Sequence, residues 1–159
     1  MYSNDGPPTP VSSLYRDDAV REREQQMHTQ VTVRDELVFR LGRPPVEFVL
    51  GLPSNHLAVR DLIRARIEQE VAVYNERQGE FFQGLVQPGA AELTLNGYRL
   101  PRPRHIDSAE QVERALEAFM RNGFLILIDD RQIEQLDDVV ILGEQTVVTF
   151  LKLVPLVGG

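Results

Sequence analysis

Between residues 59 and 74 the apolar side chains Val59, Leu62, Ile63, Ile67, Val71 and Tyr74 recur at steps of three and four, while Arg60, Arg64, Glu68, Glu76 and Arg77 fall off that line. This is a helix with one apolar stripe, and a helix of that kind is stable only when the stripe lies against another layer. The spacing predicts a helix over 55–78, opened by Ser54 as N-cap and stopped at Gly79 as the residue beyond the C-cap. What flanks it supplies the other layer. Val31 to Leu41 and Val46 to Leu50 carry β-branched and aromatic residues about a Gly42-Arg43-Pro44-Pro45 turn, which reads as a β-hairpin.

Residues 124–159 return to strand character. Phe124 to Ile128 is a continuous apolar run suited to a strand near a sheet centre. Asp129 to Gln132 turns the chain and Ile133 restarts it. Leu136 to Leu142 forms a short turn or strand, Gly143-Glu144-Gln145 turns it again, and Thr146 to Leu156 is the last strand. A further hairpin is predicted over Leu93 to Leu100, because Asn96-Gly97 suits a turn with positive φ at both central residues. Ser108 to Gln111 reads as a capping box leading into Val112, Ala115, Leu116, Phe119 and Met120 on one helical face, closed by Asn122-Gly123. The stretch Phe81 to Val86 is apolar but has no clear period.

Residues 1–30 have no sustained apolar period, and Gly6-Pro7-Pro8-Thr9-Pro10 favours neither helix nor central strand, so a polar, flexible leader is expected. The fold class is therefore α+β. One domain spans 31–157, with a hairpin and helix inserted at about 80–123, followed by an exposed Gly158-Gly159 tail.

Composition narrows the function. With 24 acidic against 17 basic residues and a net charge of −7, the overall field repels phosphate, which argues against nucleic acid as a partner. No run approaches the roughly 20 apolar residues of a membrane span. The first residues have neither the basic nor the apolar region of a secretory signal, so a cytoplasmic location is expected. The absence of cysteine removes disulfides, thiolate metal sites and cysteine nucleophiles. His28, His56 and His105 lack metal-ligand spacing. Asp129, Asp130, Asp137 and Asp138 read as turn formers rather than metal ligands. No glycine pattern fits a phosphate loop, and no nucleophile elbow surrounds Ser54 or Ser108. An enzyme working alone is not expected, and neither a catalytic residue nor a bound cofactor is assigned. Lys152 is the single lysine beside sixteen arginines. That skew suits both an Arg-rich coding bias and a protein modifier that is hard to conjugate to itself.

Without the insertion, the element order is ββαββ. From Phe124 to Gly159 the succession of apolar strand, polar turn, apolar anchor, Leu136-Asp137-Asp138 turn, Gly-Glu-Gln turn and long strand into Gly-Gly resembles the second half of ubiquitin-like proteins. The ending Leu153-Val154-Pro155-Leu156-Val157-Gly158-Gly159 is also similar to the tails of sulfur-carrier β-grasp proteins. The resemblance implies a β-grasp fold: a mixed sheet, its first and last strands parallel at the centre, and a long helix across it. It also implies a prokaryotic ubiquitin-like modifier whose Gly159 carboxylate is adenylated by an activating enzyme using ATP and Mg²⁺. Conjugating enzymes, a metal-dependent isopeptidase and target proteins would be its partners. Gly158 and Gly159 give the slender tail that can thread a narrow channel, and Pro155 marks where sheet pairing stops.

Along the last strand Val147, Leu151 and Leu153 share one face, while Val148, Phe150, Val154 and Leu156 share the other. The resemblance implies a partner-binding patch on this strand, assigned to Phe150, Val154, Pro155 and Leu156, with Lys152 as a chain acceptor. The alternatives are a sulfur carrier with a C-terminal thiocarboxylate and a non-covalent β-grasp adaptor.

Overall fold

A computed structural model of the chain describes residues 29–37 and 44–153. The first strand, β1 (Thr29–Leu37), pairs antiparallel with β2 (Val46–Leu52), so the first predicted hairpin forms, with β1 beginning two residues before Val31. The rest of the leader lies outside the described residues. The apolar stripe becomes α1 (Val59–Arg77), preceded by a short strand β3 (His56–Ala58). Then follow β4 (Phe81–Phe82), β5 (Glu92–Thr94), β6 (Gly97–Arg99) and α2 (Ser108–Met120). The chain continues through β7 (Phe124–Ile128), β8 (Arg131–Ile133), β9 (Val139–Ile141) and β10 (Val147–Lys152).

The main sheet has five strands in the order β2-β1-β10-β7-β8. Among the described strands only β1 and β10 run parallel, with Val33 opposite Val148 and Asp35 opposite Phe150. β7 pairs antiparallel with both β10 and β8. The last strand therefore sits at the centre of a mixed sheet, between the first strand and β7. One face carries Val31, Val33, Leu50, Phe124, Ile126, Val148 and Phe150, all buried. Against it lie the buried α1 residues Val59, Leu62, Ile63, Ile67, Val71 and Tyr74, the six picked out by their spacing. At 19 residues α1 is about 28 Å long. Five strands at roughly 4.8 Å spacing span about 20 Å, so one helix is long enough to cover the sheet.

The ends of α1 differ from the sequence expectation. Residues 56–58 pair with β9 as a two-stranded ribbon instead of forming the first helical turn. The freed N–H groups of Val59 and Arg60 donate to the carbonyls of Asp138 and Leu136, so a loop caps the helix and no side chain is needed. Ser54 Oγ instead accepts from the His56 N–H. At the far end Gln78, not Gly79, takes the left-handed conformation, with φ 44° and its N–H on the Tyr74 carbonyl.

The insertion is a separate three-stranded sheet, β4-β6-β5, plus α2. It absorbs the unassigned stretch after Phe81: Phe82 is buried and meets Tyr74 edge-on, ring centroids 5.4 Å apart. In the Asn96-Gly97 turn only Gly97 has positive φ, at 114°, because the Thr94 hydroxyl accepts from the Asn96 N–H and donates to the Gly97 carbonyl. A Cβ on Gly97 would stand 2.9 Å from the Phe82 carbonyl oxygen. The cap of α2 shifts by one residue. Asp107, rather than Ser108, accepts the Glu110 N–H at 2.7 Å. Asn122 is left-handed and Gly123 N–H reaches back to Ala118, closing α2 as expected.

If α1 is stable only through its stripe, Ile67→Ala should lower unfolding free energy by about 2–5 kcal/mol. Val73→Ala, at a position 51 % exposed, should stay within about 0.5 kcal/mol. Urea denaturation of both variants checks this, and equal losses would refute it.

Candidate functional site

The site of interest is the root of the tail. β10 ends at Lys152, opposite Leu37 of β1 and Phe124 of β7. One residue on, Leu153 N–H donates to the Gly123 carbonyl at 3.3 Å, so both neighbours hold the strand to its end. Residues 154–159 lie outside the described residues, and with them Val154, Pro155, Leu156, Gly158 and Gly159.

Beneath the last residues of β10 lies a buried charge network. Arg66 on α1 is 1 % exposed. Its Nη2 donates to Asp35 Oδ2 at 2.8 Å and its Nε to Glu70 Oε1 at 2.7 Å. The guanidinium carbon stands 4.3 Å from the Phe150 ring centroid and 5.1 Å from that of Phe48. Glu70 Oε2 in turn accepts the Leu85 N–H at 3.0 Å. One cation is thus shared by two carboxylates and lies near two rings. Burial opposes the guanidinium's charge, but Glu70 and then Asp35 more than offset it, so Arg66 is held charged even more firmly than usual. For Glu70 burial dominates: it raises the carboxyl above the usual carboxylate range, although Arg66 and the Leu85 N–H pull the other way.

Lys152 points to the same side. Its Nζ donates to the Gly84 carbonyl at 2.5 Å and sits 5.5 Å from the centroid of the Tyr98 ring. Burial, and then the Glu70 charge, push the Tyr98 phenol up. Gly84 itself has no room for a side chain, since a Cβ would come within 2.1 Å of the Phe82 ring and 3.0 Å of Glu70. The insertion therefore lies against the root of the tail, joined to it through Gly84 and Tyr98 and to α1 through Leu85.

Phe150 was expected on a partner surface and is instead 0 % exposed, packed under Arg66 and beside Phe124. The alternation of the strand explains the correction: the Val148–Phe150 face is the one that α1 covers. The open face carries Val147, Leu151 and Leu153, the last 36 % exposed. Leu125 and Leu127 lie beside them on β7, with Leu151 opposite Leu125 and Thr149 opposite Leu127. Val49 on β2 adds to this face, 55 % exposed. Leu125 and Leu127 were missed because Phe124 to Ile128 reads as buried on both sides. The Arg66–Glu70 pair was missed as well, although a signal existed: both fall on the apolar stripe, four residues apart and opposite in charge.

A concavity of about 690 Å³, lined by Pro53, Leu57, Arg64 and Val139 among others, shares no residue with the tail root. Among the described residues no cluster of three His, Asp or Glu side chains gathers as a metal site would, and no helix is long and apolar enough to cross a membrane. Set against known proteins, the chain matches no family model, no curated protein and no solved structure.

Two outcomes are expected of the buried network. Arg66→Ala strands two carboxylates and should cost about 3–5 kcal/mol in urea unfolding. The second concerns pH. Because the folded state keeps the Glu70 proton to higher pH than the unfolded chain does, stability from this group falls as pH rises through the folded value. Arg66 stays charged throughout that window. The stability of wild type relative to Glu70→Gln should accordingly decline as pH is raised from the acid side of the carboxylate range. A rising difference in a pH series of thermal melts would contradict this.

Proposed function

We propose that the chain is a ubiquitin-like modifier of β-grasp architecture that acts as an acyl donor through the Gly159 carboxylate. The observation that carries this reading is the parallel β1–β10 pair at the sheet centre. It roots the segment ending in Gly158-Gly159 on a strand paired along both edges, with one long helix across the sheet. The reading requires Gly159 to bear a free carboxylate in the working protein.

The chemistry is then a partner's. An activating enzyme holding ATP and Mg²⁺ takes in the tail, where two residues without Cβ present the least bulk. A Gly159 carboxylate oxygen attacks the α-phosphorus, pyrophosphate leaves, and an acyl adenylate results. Attack on the carbonyl carbon, directly or through an enzyme thioester, forms the new bond and releases AMP. A target amine ends the sequence as an amide. Beyond that carboxylate the chain contributes no acid, base or nucleophile to these steps. It contributes a rigid root, a slender end and a recognition surface.

For that surface we propose the open face at Leu125, Leu127, Leu151 and Leu153, and, as separate contacts on the segment that follows, Val154, Pro155 and Leu156. Apolar residues gathered on one solvent-facing side of a sheet mark an interaction site. A conjugating enzyme, an isopeptidase and target proteins in the cytoplasm complete the proposed set of partners.

The test is an epitope-tagged chain expressed with its genomic neighbours. Higher-mass adducts whose tandem spectra join Gly159 to a lysine of another protein are expected, and deletion of Gly158 and Gly159 should abolish them. A C-terminal mass gain equal to exchange of oxygen for sulfur would instead establish the carrier. Full cellular activity of the truncated chain would overturn both covalent readings in favour of a non-covalent adaptor. Leu151→Asp, on the open face, should cut adduct formation about ten-fold or more while leaving the fold intact, since a charge at the centre of an apolar contact costs several kcal/mol.

A further inference from the structure

We infer that Lys152, the one lysine of the chain, is a structural pin and not an acceptor, so that the protein acts as a monovalent donor that does not build lysine-linked chains of itself. The inference rests on the donor reading for its biological meaning, but its physical content does not need that reading. A lysine two residues before Val154, close to the reactive tail, is on sequence grounds the obvious self-acceptor. No other side chain in the sequence carries a primary amine, and the sixteen arginines stay protonated in proteins and do not compete.

The geometry directs Lys152 elsewhere. It lies on the α1 side of β10, in line with the fully buried Val148 and Phe150, rather than on the open face with Leu151 and Leu153. Its ammonium donates to the Gly84 carbonyl and sits by the Tyr98 ring. Both partners act on the charged form: a carbonyl oxygen accepts an N–H, and a π-face attracts a cation. The segment that supplies them is itself fixed. The residue after Gly84 donates its N–H to Glu70, and the Phe82 ring fills the space beside the Gly84 Cα. To attack an acyl carbon the amine must lose a proton, leave the Gly84 carbonyl and turn out of the cleft between β10 and the insertion. Acylation would form an N–C amide bond, expel the leaving group and erase the charge that both contacts use. The lysine that the sequence offers as an acceptor is spent inside the fold, joining the last strand to the insertion.

The experiment needs no partner enzyme. The purified chain is treated with an N-hydroxysuccinimide acetate ester, native and in urea, and acetylation of the Lys152 peptide is followed by mass spectrometry. The native rate should be at least about ten-fold below the unfolded rate, as expected for a group released only by local opening. Native and unfolded rates within about two-fold of each other would overturn the inference. A second arm uses any system in which Gly159 adducts form. Wild type and Lys152→Arg should give the same adduct pattern, whereas a Gly159–Lys152 linkage in the wild type would overturn the inference. If no Gly159 adduct forms at all, the donor reading fails, and the labelling ratio alone decides the role of Lys152.

Discussion

A guanidinium held away from water between two carboxylates is the interaction on which the rest of this structure depends. Arg66 occupies a position on α1 where spacing calls for an apolar residue, at the point where the helix crosses the centre of the sheet. An unpartnered charge there would cost several kcal/mol, so its surroundings must supply partners from more than one direction. Asp35 comes from β1, Glu70 from the next turn of α1, and the rings of Phe48 and Phe150 from β2 and β10. The register of the parallel strand pair, in which Asp35 stands opposite Phe150, is what brings a carboxylate and a ring to the same guanidinium. Slipping either strand by one residue would turn one of them to the other face.

The network also ties the insertion to the sheet. Glu70 is turned both toward Arg66 and toward the Leu85 N–H, so the carboxylate that balances the helix charge also holds the β4–β5 connection. Lys152 reaches the same connection from the last strand. The consequence is mechanical. The strand from which the tail departs is bonded on one edge to β1, on the other to β7, and on its inner face to the insertion. Under the proposed function such a root would share among several elements any force exerted when the tail is drawn into another protein's active site.

Much of this architecture could be read in the residues. The α1 stripe named the six side chains that are buried, and the flanking hairpin and last strand were recognisable from β-branched and aromatic runs. The reading failed where tertiary partners replaced local ones. A loop carbonyl capped α1 in place of Ser54, and pairing with β9 drew residues 56–58 into a strand. Phe150 was placed on a partner surface because alternation shows that two faces differ without showing which one meets the helix. That choice is settled by parity against β1 and β7, a relation between segments more than a hundred residues apart in the case of β1. Arg66 and Glu70 were legible only in retrospect, as opposite charges on an apolar line. Of the candidate site, Phe150 proved to be core and Lys152 proved engaged, while Gly158 and Gly159 stand outside the described residues.

The proposed function requires the last carboxylate to be a substrate. ATP–pyrophosphate exchange measures that step alone, since labelled pyrophosphate enters ATP only when the acyl adenylate forms and reverses. With the activating enzyme of the same cell, exchange should require this chain and should vanish when Gly159 is converted to its amide. Exchange that persists with the amidated chain, or that does not depend on the chain at all, would contradict the account.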